Sequence, residues 1–532
     1  MRAAGFPLTV VLALITAALI WLASPGGGEM TFVCPFMLLP LLFAIAKQTS
    51  RARSFCTGWL CGFATYLSLL YWIVLVLEHY GGLPWFIAVP ALMLLSAYMA
   101  LYTALFALGF AILLQPRGPL GPGPTLCLLA APALWTGLDW LRGVLFTGFP
   151  WMDIGYFLAF SPSLIQGAKL FGHHGLGYLM VMINVFLLLF FSPVVEKRSG
   201  IAEGSWRNLA AYQRAFKGTQ VVFWPILVAA LIYSCWNFNE PPLGAQMRLG
   251  VVQGNISQDM KWSPENRLAT VAGYLGQSEA LLKKEQPALL LWPETALPFY
   301  PQRSPLTAEL QAFTARSGVP VLSGAPWFEE DAGAAKGMRL YNSAALFTPD
   351  GRFAAAYFKS HLVPFGEYVP LQNYLPFIAP LVEAVGHFSA GRVEKPITYK
   401  QARIGVLICY ESVFPDMARA WVNAGANVLV NLTNDAWYGR SSAPRHSLAM
   451  AVLRAVETGR GLARAANTCY SVFIDAKGRL HQLSPLFEPW VAADNMILHD
   501  SRTVFVRFGY LFAPTCLLFA LLALVLARRR RS

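Results

Sequence analysis

Long, nearly unbroken apolar runs separated by short polar loops fill the first 240 residues and return after residue 500, while the stretch between alternates short apolar runs with polar turns. A helix needs about 20 apolar residues to cross a ~30 Å hydrocarbon core. On that measure the pattern predicts eight spans, at 7–24, 31–46, 55–77, 86–114, 125–146, 175–193, 219–236 and 504–527. The second is short, and Asp139 and Arg142 interrupt the fifth. Leu22-Ala23-Ser24 has the small-residue character of a signal cleavage site, but apolar spans follow at once, so the first helix is expected to stay uncleaved.

Between the spans the period shortens. Strand-like runs are expected at Met247–Val252, Ala288–Trp292, Val319–Ser323, Ser343–Phe347, Arg403–Cys409, Val428–Leu432 and Ser471–Asp475. Several are apolar on consecutive residues, as strands buried on both faces are. Ser263-Pro264-Glu265 supplies a cap residue, a proline for the first helical position and an acid in the first turn, ahead of apolar Leu268, Val271 and Leu275. Further helices are expected over 415–423 and 444–458. The predicted organisation is a seven-span helical bundle over 1–240, an α/β domain over 241–500 and a last helix with a basic tail over 501–532. There is no internal repeat and no low-complexity linker.

Composition supports a membrane protein: 56% of the 532 residues are hydrophobic, 13% are charged, and the mean hydropathy is +0.48. The net charge of +13 sits in clusters beside the apolar runs, at Lys47, Arg51 and Arg53, at Lys197 and Arg198, and at Arg528 to Arg531. That placement fits membrane topology and anionic headgroups, and no recognition motif argues for nucleic acid. Loops 47–54, 115–123 and 194–218 carry Lys or Arg, whereas loops 25–30 and 78–85 carry none. Basic loops stay cytoplasmic, so both termini are expected inside and the 241–500 domain outside. Six of the eight cysteines fall in or beside apolar spans, leaving Cys409 and Cys469, with no zinc-like spacing. In an oxidising compartment a single bridge between those two is the plain alternative to chemistry.

Three segments each bring an ionisable residue to the end of an apolar run: Leu290-Leu291-Trp292-Pro293-Glu294, Tyr357-Phe358-Lys359-Ser360-His361, and Gly405-Val406-Leu407-Ile408-Cys409-Tyr410-Glu411-Ser412. An α/β scaffold assembles sites at such sheet edges. A thiol needs a base, which Glu294 can supply, and a tetrahedral intermediate needs a fixed cation, which Lys359 can supply. Singly, a buried cysteine is more often packing and a Glu–Lys pair more often a salt bridge. The combination is what points to catalysis.

Glu, Lys and Cys in this order and these contexts resemble the carbon–nitrogen hydrolase (nitrilase) superfamily, whose fold is an α-β-β-α sandwich. Within it, the multi-span part, Pro364-Phe365-Gly366-Glu367-Tyr368-Val369-Pro370 and Cys409-Tyr410-Glu411-Ser412 are similar to the apolipoprotein N-acyltransferase family. So are Thr147-Gly148-Phe149-Pro150-Trp151, Gln253-Gly254-Asn255 with Lys261-Trp262, and Asn431 to Trp437. The resemblance implies an eight-helix membrane protein with an inserted extracytoplasmic α-β-β-α domain, in the bacterial inner membrane, with that domain periplasmic.

It also implies Glu294 as general base, Lys359 as transition-state stabiliser, Cys409 as nucleophile and Glu367 as an additional acid. The implied reaction is ping-pong. Cys409 takes the sn-1 acyl chain of a phospholipid, typically phosphatidylethanolamine, as a thioester, and the α-amine of a diacylglyceryl-cysteine apolipoprotein then receives it. No cofactor or metal is implied, and nothing in the sequence asks for more than a monomer. Trp262, Tyr410 and Glu411 are the expected substrate contacts, the last two beside the nucleophile. Arg142, Phe149 and Trp151 are candidates for a lipid entrance, against a plain role as interfacial anchors. Asn342 is a candidate positioner of Glu294 or Lys359, and His361, His446 and Cys469 read as structural. The competing readings are a membrane-anchored amidase using the same three residues on a small amide, and a non-catalytic transporter or scaffold.

Overall fold

The computed structural model describes residues 6–114, 123–198, 209–241, 243–333, 337–368 and 388–529. The basic residues Arg117, Arg207, Arg530 and Arg531, and Val369 and Pro370, lie outside the described residues. The chain divides into two compact units, Met1–Asn239 with Arg507–Ser532, and Glu240–Val506.

The first unit is helical: α1 (Phe6–Ala23), α2 (Leu39–Ala46), α3 (Arg51–Leu70), α4 (Trp72–His79), α5 (Trp85–Leu114), α6 (Pro124–Val144), α7 (Ala168–Arg198) and α8 (Leu209–Asn239). Among the described residues four stretches are long and apolar enough to cross a membrane: Trp85–Leu114, Ile165–Phe191, Phe216–Asn239 and Gly509–Arg528. The pair α3 and α4, bent by 52°, makes a fifth if taken as one span. Of the other expected spans, Pro7–Ala23 is apolar but shorter, and α6 has the length but holds Asp139 and Arg142.

Over 31–46 the chain is not one regular helix. A 3-10 turn (Thr31–Val33) and further i→i+3 bonds, Cys34 N to Thr31 O and Phe36 N to Val33 O, precede the eight residues of α2. Irregular backbone surrounded by lipid-soluble helices needs protein partners. Asn184 on α7 supplies them, accepting from Leu38 N at 2.9 Å and donating to Cys34 O at 3.0 Å, while Thr16 Oγ1 accepts from Leu41 N at 2.9 Å. On α3, Gly62 lets α5 approach so closely that an added Cβ would meet Ala100 Cα at 2.9 Å, the small-residue contact by which membrane helices pack.

The second unit holds two six-stranded sheets. One runs β12-β1-β2-β3-β4-β5, from β1 (Ala245–Gln253), β2 (Leu289–Trp292), β3 (Val321–Glu330), β4 (Met338–Phe347), β5 (Phe353–Phe358) and β12 (Trp490–Leu498). The other runs β11-β10-β9-β8-β7-β6, from β6 (Ile397–Tyr399), β7 (Ala402–Ile408), β8 (Val428–Thr433), β9 (Leu462–Ala466), β10 (Val472–Ile474) and β11 (Leu480–His481). In each, three central strands are parallel, β1-β2-β3 and β7-β8-β9, and the rest antiparallel. The sheets face each other through β1 and β9 and through β4 and β7. Besides the short α9 (Gln258–Lys261), helices α10 (Arg267–Lys284) and α11 (Thr307–Ser317) cover the first sheet, and α12 (Pro415–Asn423) and α13 (Ala443–Thr458) the second. This gives four layers, α-β-β-α. The chain leaves through α14 (Val504–Arg507) to α15 (Phe512–Arg529).

The seven expected strands are present, β3 and β4 longer than their apolar runs, and Ser263-Pro264-Glu265 opens a 3-10 turn from which α10 continues to Lys284. Strands β5, β6, β9, β11 and β12 and helix α11 go beyond the sequence reading. In β9 the cause is Arg464, a charge that reads as solvent-facing but is fully buried against Asp435.

One close approach fixes the edge where β2 ends. Gly324 on β3 lies so near that an added Cβ would meet Thr295 N at 2.4 Å and Glu294 Cα at 2.5 Å. Gly324→Ala is expected to destabilise this unit by about 1–3 kcal/mol by overpacking and to displace Glu294. Calorimetry and an activity assay check it, and an unaltered melting temperature with unaltered activity would contradict the constraint.

Candidate active site

Glu294, Lys359 and Cys409 follow β2, β5 and β7. Strand β5 is antiparallel to β4, itself antiparallel to β3, so β5 runs in the direction of β2 and delivers Lys359 to the same edge as Glu294. Cys409 opens a 3-10 turn (Cys409–Val413) with φ at 49°, and Thr295, after Glu294, has φ at 47°. Left-handed backbone at non-glycine residues costs energy and persists only where surrounding structure enforces it. Both sharp turns lift a side chain out of its sheet edge.

Lys359 is 1% exposed. Its Nζ lies 2.8 Å and 3.0 Å from the two oxygens of Glu367 and 3.7 Å from Glu294 Oε1. Burial alone would lower this amine, but the Glu367 and Glu294 carboxylates more than reverse that, and the ammonium is held above its ordinary range. Asn342 on β4 ties the two acids together, its Nδ2 donating to Glu294 Oε1 at 2.7 Å and to Glu367 Oε1 at 2.9 Å. Carboxylates only accept, so the amide must present its nitrogen here. Asn434 N donates to Glu294 Oε2 at 2.8 Å, and Val363 N to Glu367 Oε2 at 2.9 Å. Glu294 is thus oriented from both oxygens.

The Cys409 thiol donates to Asp435 Oδ1 at 4.0 Å. Burial, then the Glu294 charge, push it well above the usual thiol range, against the pull of Lys359. At neutral pH it therefore rests as a thiol. Asp435 is ion-paired with Arg464 and accepts from Thr433 Oγ1 at 2.6 Å. His361 is lowered to about 4 by burial and by the Lys359 charge, so it is neutral at physiological pH. All eight cysteines are free, including Cys409 and Cys469.

The other expected residues are spread more widely. Trp262 is 43% exposed, beside buried Lys261. Tyr410 is buried edge-to-face on Phe414, ring centroids 5.0 Å apart. Glu411, expected to touch substrate, is fully buried with both oxygens occupied: Tyr357 Oη, Ser360 N, Ser360 Oγ and His361 N donate to Oε1, and Ile408 N to Oε2. It therefore braces the Lys359 segment against the Cys409 turn. Arg142, Phe149 and Trp151 belong to the helical unit. There Arg142 is buried, ion-paired with Asp153 and with Asp139 at 3.3 Å, and buried Trp151 stacks on Phe149 with centroids 5.6 Å apart. Asn434, Asp435 and Lys261 went unassigned in the sequence reading. The available signal was a polar Asn434-Asp435 at the end of an apolar strand.

Residues 16–186 match the family model described as apolipoprotein N-acyltransferase N-terminal domain, and residues 248–492 the one described as carbon-nitrogen hydrolase. Among curated relatives, the apolipoprotein N-acyltransferase of Geobacter metallireducens is 36% identical over 512 residues, covering 96% of this chain and 93% of that one. That of Methylococcus capsulatus is 33% identical over 523 residues, covering 96% of each. Among solved structures, Saccharomyces cerevisiae Nit3, of the nitrilase superfamily, is 18% identical, covering 47% of this chain and 90% of that one, with a TM-score of 0.37.

Replacing Glu411 by Gln turns one accepting oxygen into a donor facing other donors. It is expected to cost about 1–3 kcal/mol of stability. Turnover should fall at least tenfold, as Lys359 and Cys409 lose their common brace. Thermal melts and steady-state rates decide it, and wild-type turnover in the variant would remove the positioning role.

Proposed function

Because this chain belongs to the apolipoprotein N-acyltransferase family, it is a membrane acyltransferase of lipoprotein N-acylation, and we propose that Cys409 carries the acyl group as a thioester between two lipid substrates. The observation that supports this reading is the buried set itself: a carboxylate oriented from both oxygens, an ammonium fixed between two acids, and a thiol on a sharp turn beside them.

In the first half-reaction Glu294 takes the Cys409 proton and the sulfur attacks the sn-1 ester carbonyl of a phospholipid, phosphatidylethanolamine by the family resemblance. Lys359 Nζ balances the oxyanion, and Glu367 and Asn342 hold Lys359 and Glu294 in place. The carbon–oxygen bond breaks, and Glu294 returns its proton to the departing lysophospholipid. In the second half, the α-amine of a diacylated apolipoprotein attacks the thioester, Glu294 takes the amine proton, and as the carbon–sulfur bond breaks Glu294 passes that proton to the departing Cys409 sulfur. In this reading Trp262 and Tyr410 contact substrate, and Arg142, Phe149 and Trp151 contact lipid chains. The enzyme works as a monomer.

For the membrane, we infer eight crossings in the bacterial inner membrane, with both termini cytoplasmic and the α-β-β-α unit periplasmic. The 31–46 segment supports a crossing despite its short α2, because Asn184 and Thr16 satisfy peptide groups of the segment from neighbouring helices.

Two experiments test these readings. Detergent-solubilised protein incubated with phospholipid should gain the mass of one acyl group on Cys409, lose it on addition of a diacylated lipopeptide, and gain nothing as Cys409→Ser. No adduct, with hydrolysis of a small amide intact, would instead favour an amidase. For topology, exposed Cys56 and Cys235 and the partly exposed Cys409 are first replaced by Ser. A membrane-impermeant thiol reagent given to cells with a permeabilised outer membrane should then label Arg352→Cys but not Thr49→Cys. The reverse pattern would invert the orientation.

A further inference from the structure

The site contains a second lysine that the mechanism above does not use. Lys261 is the last residue of α9 and is fully buried. Its Nζ donates to the main-chain carbonyl of Glu294 at 3.2 Å, at the start of the left-handed turn. The same short helix is tied to Glu294 by a second route: Gln258 Oε1 accepts from Asn434 Nδ2 at 2.8 Å, and Asn434 N donates to Glu294 Oε2 at 2.8 Å. Helix α9 therefore grips both the backbone and the carboxylate of Glu294.

Lys359 has Glu367 as a dedicated counter-ion, and among the described residues Lys261 has no carboxylate of comparable closeness; the acid groups acting on it are Glu294 and Cys409. We propose that Lys261 is a positioning residue for the general base, holding the Glu294 turn through its carbonyl and keeping one negative charge on the Glu294–Cys409 couple. This rests on Glu294 as base and Cys409 as nucleophile. A neighbouring cation opposes uptake of a further proton by a carboxylate–thiol couple, so the couple stays reactive to lower pH.

The other charged or titratable groups around the couple are Lys359 after β5, Glu367 in the loop that follows, Asp435 and Tyr438 after β8, the Tyr438 phenol pushed well up by burial and the Cys409 and Asp435 charges, and Arg464 on β9. Lys359 is fixed by Glu367 and Asp435 by Arg464, which leaves Lys261 as the group free to change charge near neutrality. Burial lowers its amine to about 7, opposed by Glu294 and Cys409. The sign follows: the charged form exists below about 7, so its influence on the couple is present at lower pH and fades as pH rises through that value.

The test is the rate of Cys409 alkylation by iodoacetamide across pH 6 to 9, followed by peptide mass spectrometry on the full-length protein in detergent. Lys261→Gln keeps a donor but no charge. Its rate should lie about five- to tenfold below wild type at pH 6, the effect of up to one pKa unit, and approach the wild-type rate at pH 9. Lys261→Arg, charged at every pH, should match wild type at pH 6 and lack the inflection near pH 7. A purely structural role would lower the rate equally at every pH, and that result, or no change, overturns the proposal. Should the Gln variant not fold, the wild-type profile alone decides, since it must show an inflection near pH 7. Glu294→Gln is run in parallel. If it leaves the wild-type profile unchanged, the base assignment fails; if it alters the profile while Lys261→Gln does not, only the role of Lys261 falls.

Discussion

A single ammonium group withdrawn from water organises the catalytic unit. An isolated buried cation is costly enough that it deprotonates or finds counter-charges. Lys359 finds two, Glu367 in close contact and Glu294 farther off, and Asn342 bridges those acids so that neither can turn away. Once this set is closed, the positions of β2, β4 and β5 at the sheet edge are coupled to one another.

The nucleophile is joined to this set by a different device. Glu411 is buried without a cation in contact among the described residues, and five hydrogen bonds replace its hydration. Burial raises this carboxyl, and the bonds from Ile408 N, Tyr357 and His361 N, with the Lys359 charge, oppose that rise. Because the donors come from the Lys359 segment on one side and the Cys409 turn on the other, the acid that looked like a substrate ligand from its place beside Cys409 is a brace between the sheets.

In the helical unit the same accounting concerns backbone rather than charge. The 31–46 segment departs from regular helix, and side chains from α1 and α7 satisfy its peptide groups. Arg142 within α6 is likewise matched by Asp153 and Asp139, so a span that reads as interrupted is a buried ion-pair site.

Much of this was legible in the chain. Four of the apolar runs are, among the described residues, long and apolar enough to cross a bilayer, and the short consecutive apolar runs bounded by turns are buried strands, because hydrophobic burial acts locally and leaves a periodic trace. The contexts of Glu294, Lys359 and Cys409 at strand ends were legible for the same reason. Tertiary structure alone decided which polar residues are buried. Arg464 hides a strand, Glu411 becomes a brace and Lys261 reaches the Glu294 carbonyl, because each is stabilised by a partner distant in sequence, and no local pattern records a charge matched across a sheet.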